Sequence, residues 1–173
     1  MEDLLRYARA GKQRERLESV DVGELVRDTI SVLNPPRGFN FDVVGQLPVL
    51  TTLKTPLQQI FQNLINNAVK HHDRPTGCVR ISSRSLGEHV EFTVADDGPG
   101  IPPEFAAKIF RMFETLRPRD ETEGSGMGLA LIDKLVERYG GRVILEARSG
   151  RGATFRFTWP RRVSSSGSLG ESA

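Results

Sequence analysis

Residues 58–73 read QQIFQNLINNAVKHHD. Leu57, Ile60, Phe61, Leu64, Ile65 and Ala68 recur at the spacing of one helix face, which predicts an amphipathic helix over 57–71. At ~100° per residue, Gln59, Asn63, Asn67 and Lys70 fall together on the opposite face. Asparagine is a poor helix former, so two of them aligned inside a helix ask for a reason. Carboxamide oxygens are hard ligands that suit Mg2+, and a lysine one turn further on neutralises phosphate charge. A solvated polar face is the commoner fate of such residues, and this stretch alone does not choose between the two.

Three glycine clusters follow in order: DDGPGI at 96–101, GSGMG at 124–128 and GRGATF at 150–155. Period-2 alternation puts Phe92, Val94 and Asp96 on one face of a strand over 90–96, with Asp97 pointing the other way. A carboxylate ending an apolar strand face, followed at once by Gly98 and Gly100, sits at the mouth of a pocket. There it can accept from an amino group while the glycines let a flat ring approach the backbone. An Asp-Gly turn between strand and helix is the plainer alternative. GSGMG opens directly into an amphipathic helix over 128–139, so its amides and the helix N-terminus make an anion site. GxxxxGK[ST] is absent, no βαβ-style strand precedes the glycines, and the HRD and DFG signatures of protein kinases are missing. A polyanion gripped by amides, with a metal ion and a planar base to position, accounts for all four segments. Mg-ATP is the ligand expected.

The rest of the chain frames these motifs. Its 173 residues suit one domain with a real core, and 38% hydrophobic with 27% charged residues is ordinary for a globular protein. A net charge of +2 makes no case for nucleic acid. The single cysteine, Cys78, excludes a disulfide framework, and no apolar run approaches the ~18 residues of a membrane span. A helix is expected over 20–33, capped by Asp21 and ended by Asn34-Pro35-Pro36. Strands are expected over 39–44, 49–53, 78–84, 90–96, 143–147 and 154–159. Residues 102–113 should form short helices, 116–126 a mobile loop, and 2–19 the tail of a helix. The stretch from Arg161 has a linker's composition.

An Asn-bearing helix, strand-Asp-x-Gly-x-Gly, a polar loop and Gly-x-Gly-x-Gly-helix, in that order, resemble the GHKL ATPase superfamily. QQIFQNLINNAVKHHD, VADDGPGI, IFRMFETL and GSGMGLALIDKLVERYGG resemble, more narrowly, the catalytic domain of sensor histidine kinases. The resemblance covers about residues 20–160 and implies the Bergerat fold. That is an α/β two-layer sandwich with a mixed, mainly antiparallel sheet, about three helices on one face, and an ATP lid over 102–126. It implies that Asn67 binds Mg2+, that Asn63 and Lys70 serve metal and phosphates, and that Asp96 takes the exocyclic amine of adenine. Gly98, Gly100 and Ile101 would border the ring, and Gly124, Ser125, Gly126, Met127, Gly128 and Leu129 the phosphates. Phe110 and Phe113 match the lid-anchoring aromatics. Thr154 is expected to face the pocket floor, with a weak case for ligand contact.

Superfamily members that hydrolyse ATP with water carry a glutamate base where this chain has Asn63, and an amide takes no proton at neutral pH. Transfer to an external acceptor is therefore favoured over an ATPase motor. His71, His72 and His89 lack the Glu-Leu-Arg-Thr-Pro context of an acceptor histidine, whereas LLRYARAG at 4–11 resembles the end of a dimerisation helix. Residues 1–19 are accordingly expected to be a remnant of that helix, 20–160 the catalytic domain and 161–173 a disordered tail. The expected partners are ATP or ADP, a dimerisation and histidine phosphotransfer domain, and a response regulator. No nucleic-acid or direct membrane contact is expected, and the setting should be cytoplasmic. Two other classes stay open at this point: a nucleotide-responsive regulatory module without transfer, and an anti-sigma-type serine kinase. His71 could stack on adenine or lie exposed, and Arg117 or Arg119 could reach the γ-phosphate or be solvated.

Overall fold

Asp21 starts the first helix, its carboxylate accepting the Glu24 amide at 3.0 Å, and α1 runs Val22–Leu33. Asn34 ends it in the left-handed region (φ 45°, ψ 59°) and donates its amide to the Ile30 carbonyl. The structure is a computed structural model that describes residues 16–106, 108–110, 128–146 and 150–163. Around α1 lie strands β1 (Leu17–Asp21), β2 (Phe39–Val44) and β3 (Val49–Leu53), then α2 (Lys54–Lys70). Strands β4 (Gly77–Leu86) and β5 (His89–Asp96) precede a 3-10 turn at Pro103–Phe105. Helix α3 (Gly128–Arg138) and strands β6 (Val143–Glu146) and β7 (Thr154–Pro160) complete the order.

Five strands form one sheet in the order β2-β4-β5-β7-β6, in which only β2 and β4 run parallel. Alternation along β5 and β7 turns Val90, Phe92, Val94, Phe155, Phe157 and Trp159 towards the helices, and all six are buried. Helix α2 lies between α1 and α3 and supplies the centre of that core. Its Phe61 ring meets Phe92 and Phe157 edge-on, each with centroids 5.4 Å away. Truncating such a ring to alanine costs about 3–5 kcal/mol. This is the two-layer sandwich expected from the sequence, with three helices on one face of a mainly antiparallel sheet.

The helix tail expected over 2–19 gives way at its C-terminal end to β1, which pairs antiparallel with β3, Val20 opposite Leu50. Both are buried, so strand pairing against a partner some thirty positions away overrides the short local helical stripe. Residues 1–15, with the dimerisation-helix resemblance, lie outside the described residues. Of the tail expected from Arg161, residues 161–163 are described and paired, and 164–173 lie outside the described residues. Arg161 donates its amide to Glu88, and the Thr51 amide donates to the Arg161 carbonyl at 3.2 Å, so 161–163 continue the small sheet beside β3. Trp159 Nε1 donates to Thr52 Oγ1 at 2.8 Å in full burial, which joins the small sheet to the large one. Of the short helices expected over 102–113, the described part holds the 3-10 turn alone. Among the described residues, no helix is long and apolar enough to cross a membrane.

Candidate functional site

Asp96 stands at the end of β5, on the face shared by Phe92 and Val94. Its Oδ1 accepts two amides, from Gly98 at 2.9 Å and Ala153 at 3.3 Å, while no described residue donates to Oδ2. Burial raises its pKa above the usual carboxylate value, and those two amides pull it back down. The outcome is a half-desolvated carboxylate with one oxygen fixed and the other open to an amino group. A Cβ on Gly98 would lie 2.9 Å from Asp96 Oδ1, so any side chain there would push the carboxylate aside. Gly100 needs its φ of +80°, and a Cβ on it would strike the Gly150 carbonyl. The Gly152 amide donates to Gly98 at 2.8 Å, which laces the 96–100 turn to the 150–153 turn.

Helix α2 brings the carboxamides. Its apolar face is buried as the spacing required, leaving Gln59, Asn63, Asn67 and Lys70 half-buried or exposed on the other side. Asn63 Nδ2 donates to the Gln59 carbonyl at 2.8 Å, fixing the amide so that Oδ1 faces the start of α3. A Cβ on Gly128 would lie 3.0 Å from that oxygen. The Asn helix and the glycine-led helix N-terminus therefore meet, although 65 positions separate Asn63 from Gly128. Among the described residues no group of three His, Cys, Asp or Glu could hold a metal ion, whereas carboxamide oxygens on α2 are available to a cation. Asn67, one turn beyond Asn63 and with no described hydrogen-bond partner for its side chain, fits that role. Lys70 is exposed in the last turn, where its charge also complements the helix dipole.

A third set of residues, not singled out from the sequence, joins these two halves. The His72 side chain is 1% exposed and donates or accepts at both ring nitrogens. Its Nε2 lies 3.0 Å from Asp97 Oδ1, which also takes the Cys78 amide at 2.7 Å. The Cys78 amide, followed by the His72 contact, draws the Asp97 pKa below its usual value. Arg151 reaches the two Asp73 oxygens at 3.0 and 3.1 Å and the Asp97 carbonyl at 2.8 Å. That guanidinium holds the Asp73 carboxyl down at about 2. The segment after α2 is thereby pinned to both turns beside Asp96.

Other expected residues fall variously. Ile101 and Leu129 are half-buried and pack against the core, and Phe110 meets Phe155 edge-on at 6.4 Å. Gly124, Ser125, Gly126, Met127, Phe113, Arg117 and Arg119 lie outside the described residues. His71 is exposed. Thr154 requires a correction. It pairs with Ala95 and Glu146, on the sheet face turned away from Asp96 and the helices. Ala153, buried and directly across from Asp96, occupies the floor position instead. Counting alternation back from Phe155 would have found this.

Residues 52–163 match the family described as histidine kinase-, DNA gyrase B- and HSP90-like ATPases. Cyanobacterial phytochrome A of a Nostoc species is 35% identical over 163 residues, covering 92% of this chain and 21% of that protein. The chain thus spans about a fifth of that relative's length. The solved structure of the mycobacterial sensor histidine kinase MprB aligns with a TM-score of 0.71 at 27% identity, covering 86% of this chain and 99% of that one. Full-length ShkA in complex with AMPPNP aligns with a TM-score of 0.76 at 31% identity, covering 95% of this chain and 36% of that one.

Proposed function

This chain belongs to the histidine kinase-, DNA gyrase B- and HSP90-like ATPase family, and we propose that it is the ATP-binding donor half of a sensor histidine kinase. In this reading it passes the γ-phosphate of ATP to a histidine on a separate dimerisation domain, from which a response regulator takes it. Consumption of ATP places the domain in the cytoplasm. The observation that carries the reading is Asp96, with Oδ1 locked by two amides and Oδ2 left open beside buried Gly98. Oδ2 accepts the exocyclic amine of adenine, which distinguishes it from a base that presents a carbonyl there.

Asn67 and Asn63 would hold Mg2+, which when bound offsets the charge of the phosphates. Lys70 and the amides opening α3 add positive potential to the same end of the site. Phosphoryl transfer asks for alignment and charge stabilisation more than for covalent help from the protein. Asn63 contributes by what it withholds. Its amide is committed to Gln59 and has no basicity, so it activates no water, and the bound nucleotide waits for an external nucleophile.

Incubating the protein with radiolabelled Mg-ATP and a separately produced dimerisation domain tests this. Label that is acid-labile and alkali-stable, on the added domain, is expected. Tight ATP binding without transfer to any histidine domain, or phosphoserine on a protein substrate, would overturn it.

A further inference from the structure

We propose that His72 is a positioning residue for the nucleotide site, acting through Asp97 to hold the Asp96–Gly98 turn in register with helix α2. The proposal rests on the assignment of Asp96 to the adenine amine and deepens it.

His72 is neither solvent-facing nor simply packed. Its side chain is 1% exposed, and its ring stands edge-on to Phe39 with centroids 5.2 Å apart. The Arg74 amide donates to Nδ1 at 3.1 Å, so Nδ1 carries no proton and Nε2 does. Nε2–H then donates to Asp97 Oδ1 at 3.0 Å. Both ring nitrogens are therefore used, each in one role, and the tautomer is set by the backbone of His72's own segment. The other charged groups around the ring are Asp73, 3.7 Å from Nδ1, with Arg151 behind it, and Asp96 beyond Asp97.

The ring edge also borders the site directly. A Cβ on Gly98 would lie 3.4 Å from His72 Cδ2, next to its 2.9 Å approach to Asp96 Oδ1. His72 follows the last residue of α2 by two positions, and Asp97 follows the last residue of β5 by one. One hydrogen bond thus couples the helix that carries Asn63 and Asn67 to the strand end that carries Asp96. Without it, and above the shared packing of Phe61 on Phe92, the polar link between the base-binding turn and the phosphate-binding helix would rest chiefly on the exposed Asp73–Arg151 pair. Such pairs hold geometry weakly.

Glutamine can place its amide nitrogen near the imidazole Nε2 position, whereas phenylalanine keeps the ring and loses both nitrogens. Calorimetric titration of the full chain with Mg-ATP should therefore give His72→Gln within about threefold of wild type and His72→Phe about tenfold weaker. If His72 works through Asp97, the His72→Phe loss should shrink to under about twofold in an Asp97→Ala background, where no acceptor remains for Nε2. Asp96→Asn is the control. Unchanged ATP affinity in that variant sinks the site assignment itself. Lost affinity there, with His72→Phe still binding like wild type, sinks only the role of His72. A His72→Phe loss that persists undiminished in Asp97→Ala also overturns the proposal. Thermal melts establish that each variant is folded. Should His72→Phe fail to fold, His72→Asn, which keeps the Nδ1-side acceptor and loses the Nε2-side donor, is read by the same criteria.

Discussion

Replacing Asp96 by asparagine separates what the carboxylate does for the fold from what it does for the ligand. Asparagine Oδ1 can still accept from Gly98 and Ala153, so the turn keeps both of its amide bonds. Nδ2 takes the place of Oδ2, and in the proposed site two N–H groups then confront the adenine amine. The lost hydrogen bond to a charged acceptor is worth about 1.5–3 kcal/mol, and the unmatched donors cost a further ~1–3 kcal/mol. Together that is about 2.5–6 kcal/mol, or roughly 60- to 20,000-fold in affinity. Stability should move the other way. Burial holds the folded-state pKa of Asp96 above 3.8, so the folded chain binds this proton more tightly than the unfolded one. Its stabilising contribution is full below that value and is lost as pH rises through the folded pKa, which leaves the ionised group a net cost at neutral pH. Asp96→Asn should therefore melt at or above the wild-type temperature at pH 7, and the advantage should shrink towards pH 4. Calorimetric titration with Mg-ATP and melts across that range test both halves. Undiminished ATP affinity refutes the assignment of the base, and a melt lowered by several degrees at pH 7 refutes the account of the carboxylate as desolvated.

Asn63→Glu should install the missing base and raise intrinsic ATP hydrolysis by about tenfold or more, measured as phosphate release; an unchanged rate would mean that Asn63 does not occupy the base position. The Arg151–Asp73 pair stabilises with a defined pH signature. Asp73 is depressed to about 2 in the folded state, so the pair's contribution is full above 3.8 and is lost as pH falls through about 2. The melting difference between wild type and Arg151→Met should be flat from pH 8 to about pH 5, shrink with salt and fade on acidification; a difference that grows towards low pH contradicts the pairing. Thr52→Val strands the buried Trp159 N–H and should cost about 1–3 kcal/mol in urea unfolding followed by fluorescence of Trp159, the only tryptophan. An unchanged midpoint would show that this bond is not what joins the two sheets.

Periodicity disclosed what depends on near neighbours. The buried face of α2 and the alternation of β5 were legible because each is a local repeat with one apolar side. The start of α2 was not. It opens at Lys54 with Leu53 as a cap that makes no side-chain bond, and Pro56 falls in the first turn, where proline is tolerated. Strand β1 was hidden for another reason, since only its pairing with β3 makes LESVD a strand. The Asn63 and Gly128 signals were legible as types and in order, but their meeting depends on packing. Thr154 was assigned to the wrong face although local alternation back from the buried Phe155 places it on the other. The His72–Asp97 and Asp73–Arg151 contacts span 25 and 78 positions, and a histidine or arginine in a polar stretch gives no sign of a distant partner.

The positions of the histidines decide what this chain can do alone. His72 is enclosed, with both nitrogens engaged, so it offers no lone pair to an incoming phosphoryl group. His89 opens β5 while Asp96 closes it, and seven residues of strand put them about 23 Å apart. Extended backbone cannot fold that gap away. His71 alone is exposed, at the end of the helix that carries Asn63 and Asn67. An acceptor for in-line transfer has to approach the γ-phosphate from the side opposite the leaving oxygen. A group fixed to the wall that holds the phosphates is badly placed to do so. The isolated chain should bind Mg-ATP and gain no acid-labile label over hours, whereas adding a histidine-bearing dimerisation domain should label that domain. Acid-labile phosphate mapped by mass spectrometry to His71 in the isolated chain would refute the argument and make the protein donor and acceptor at once.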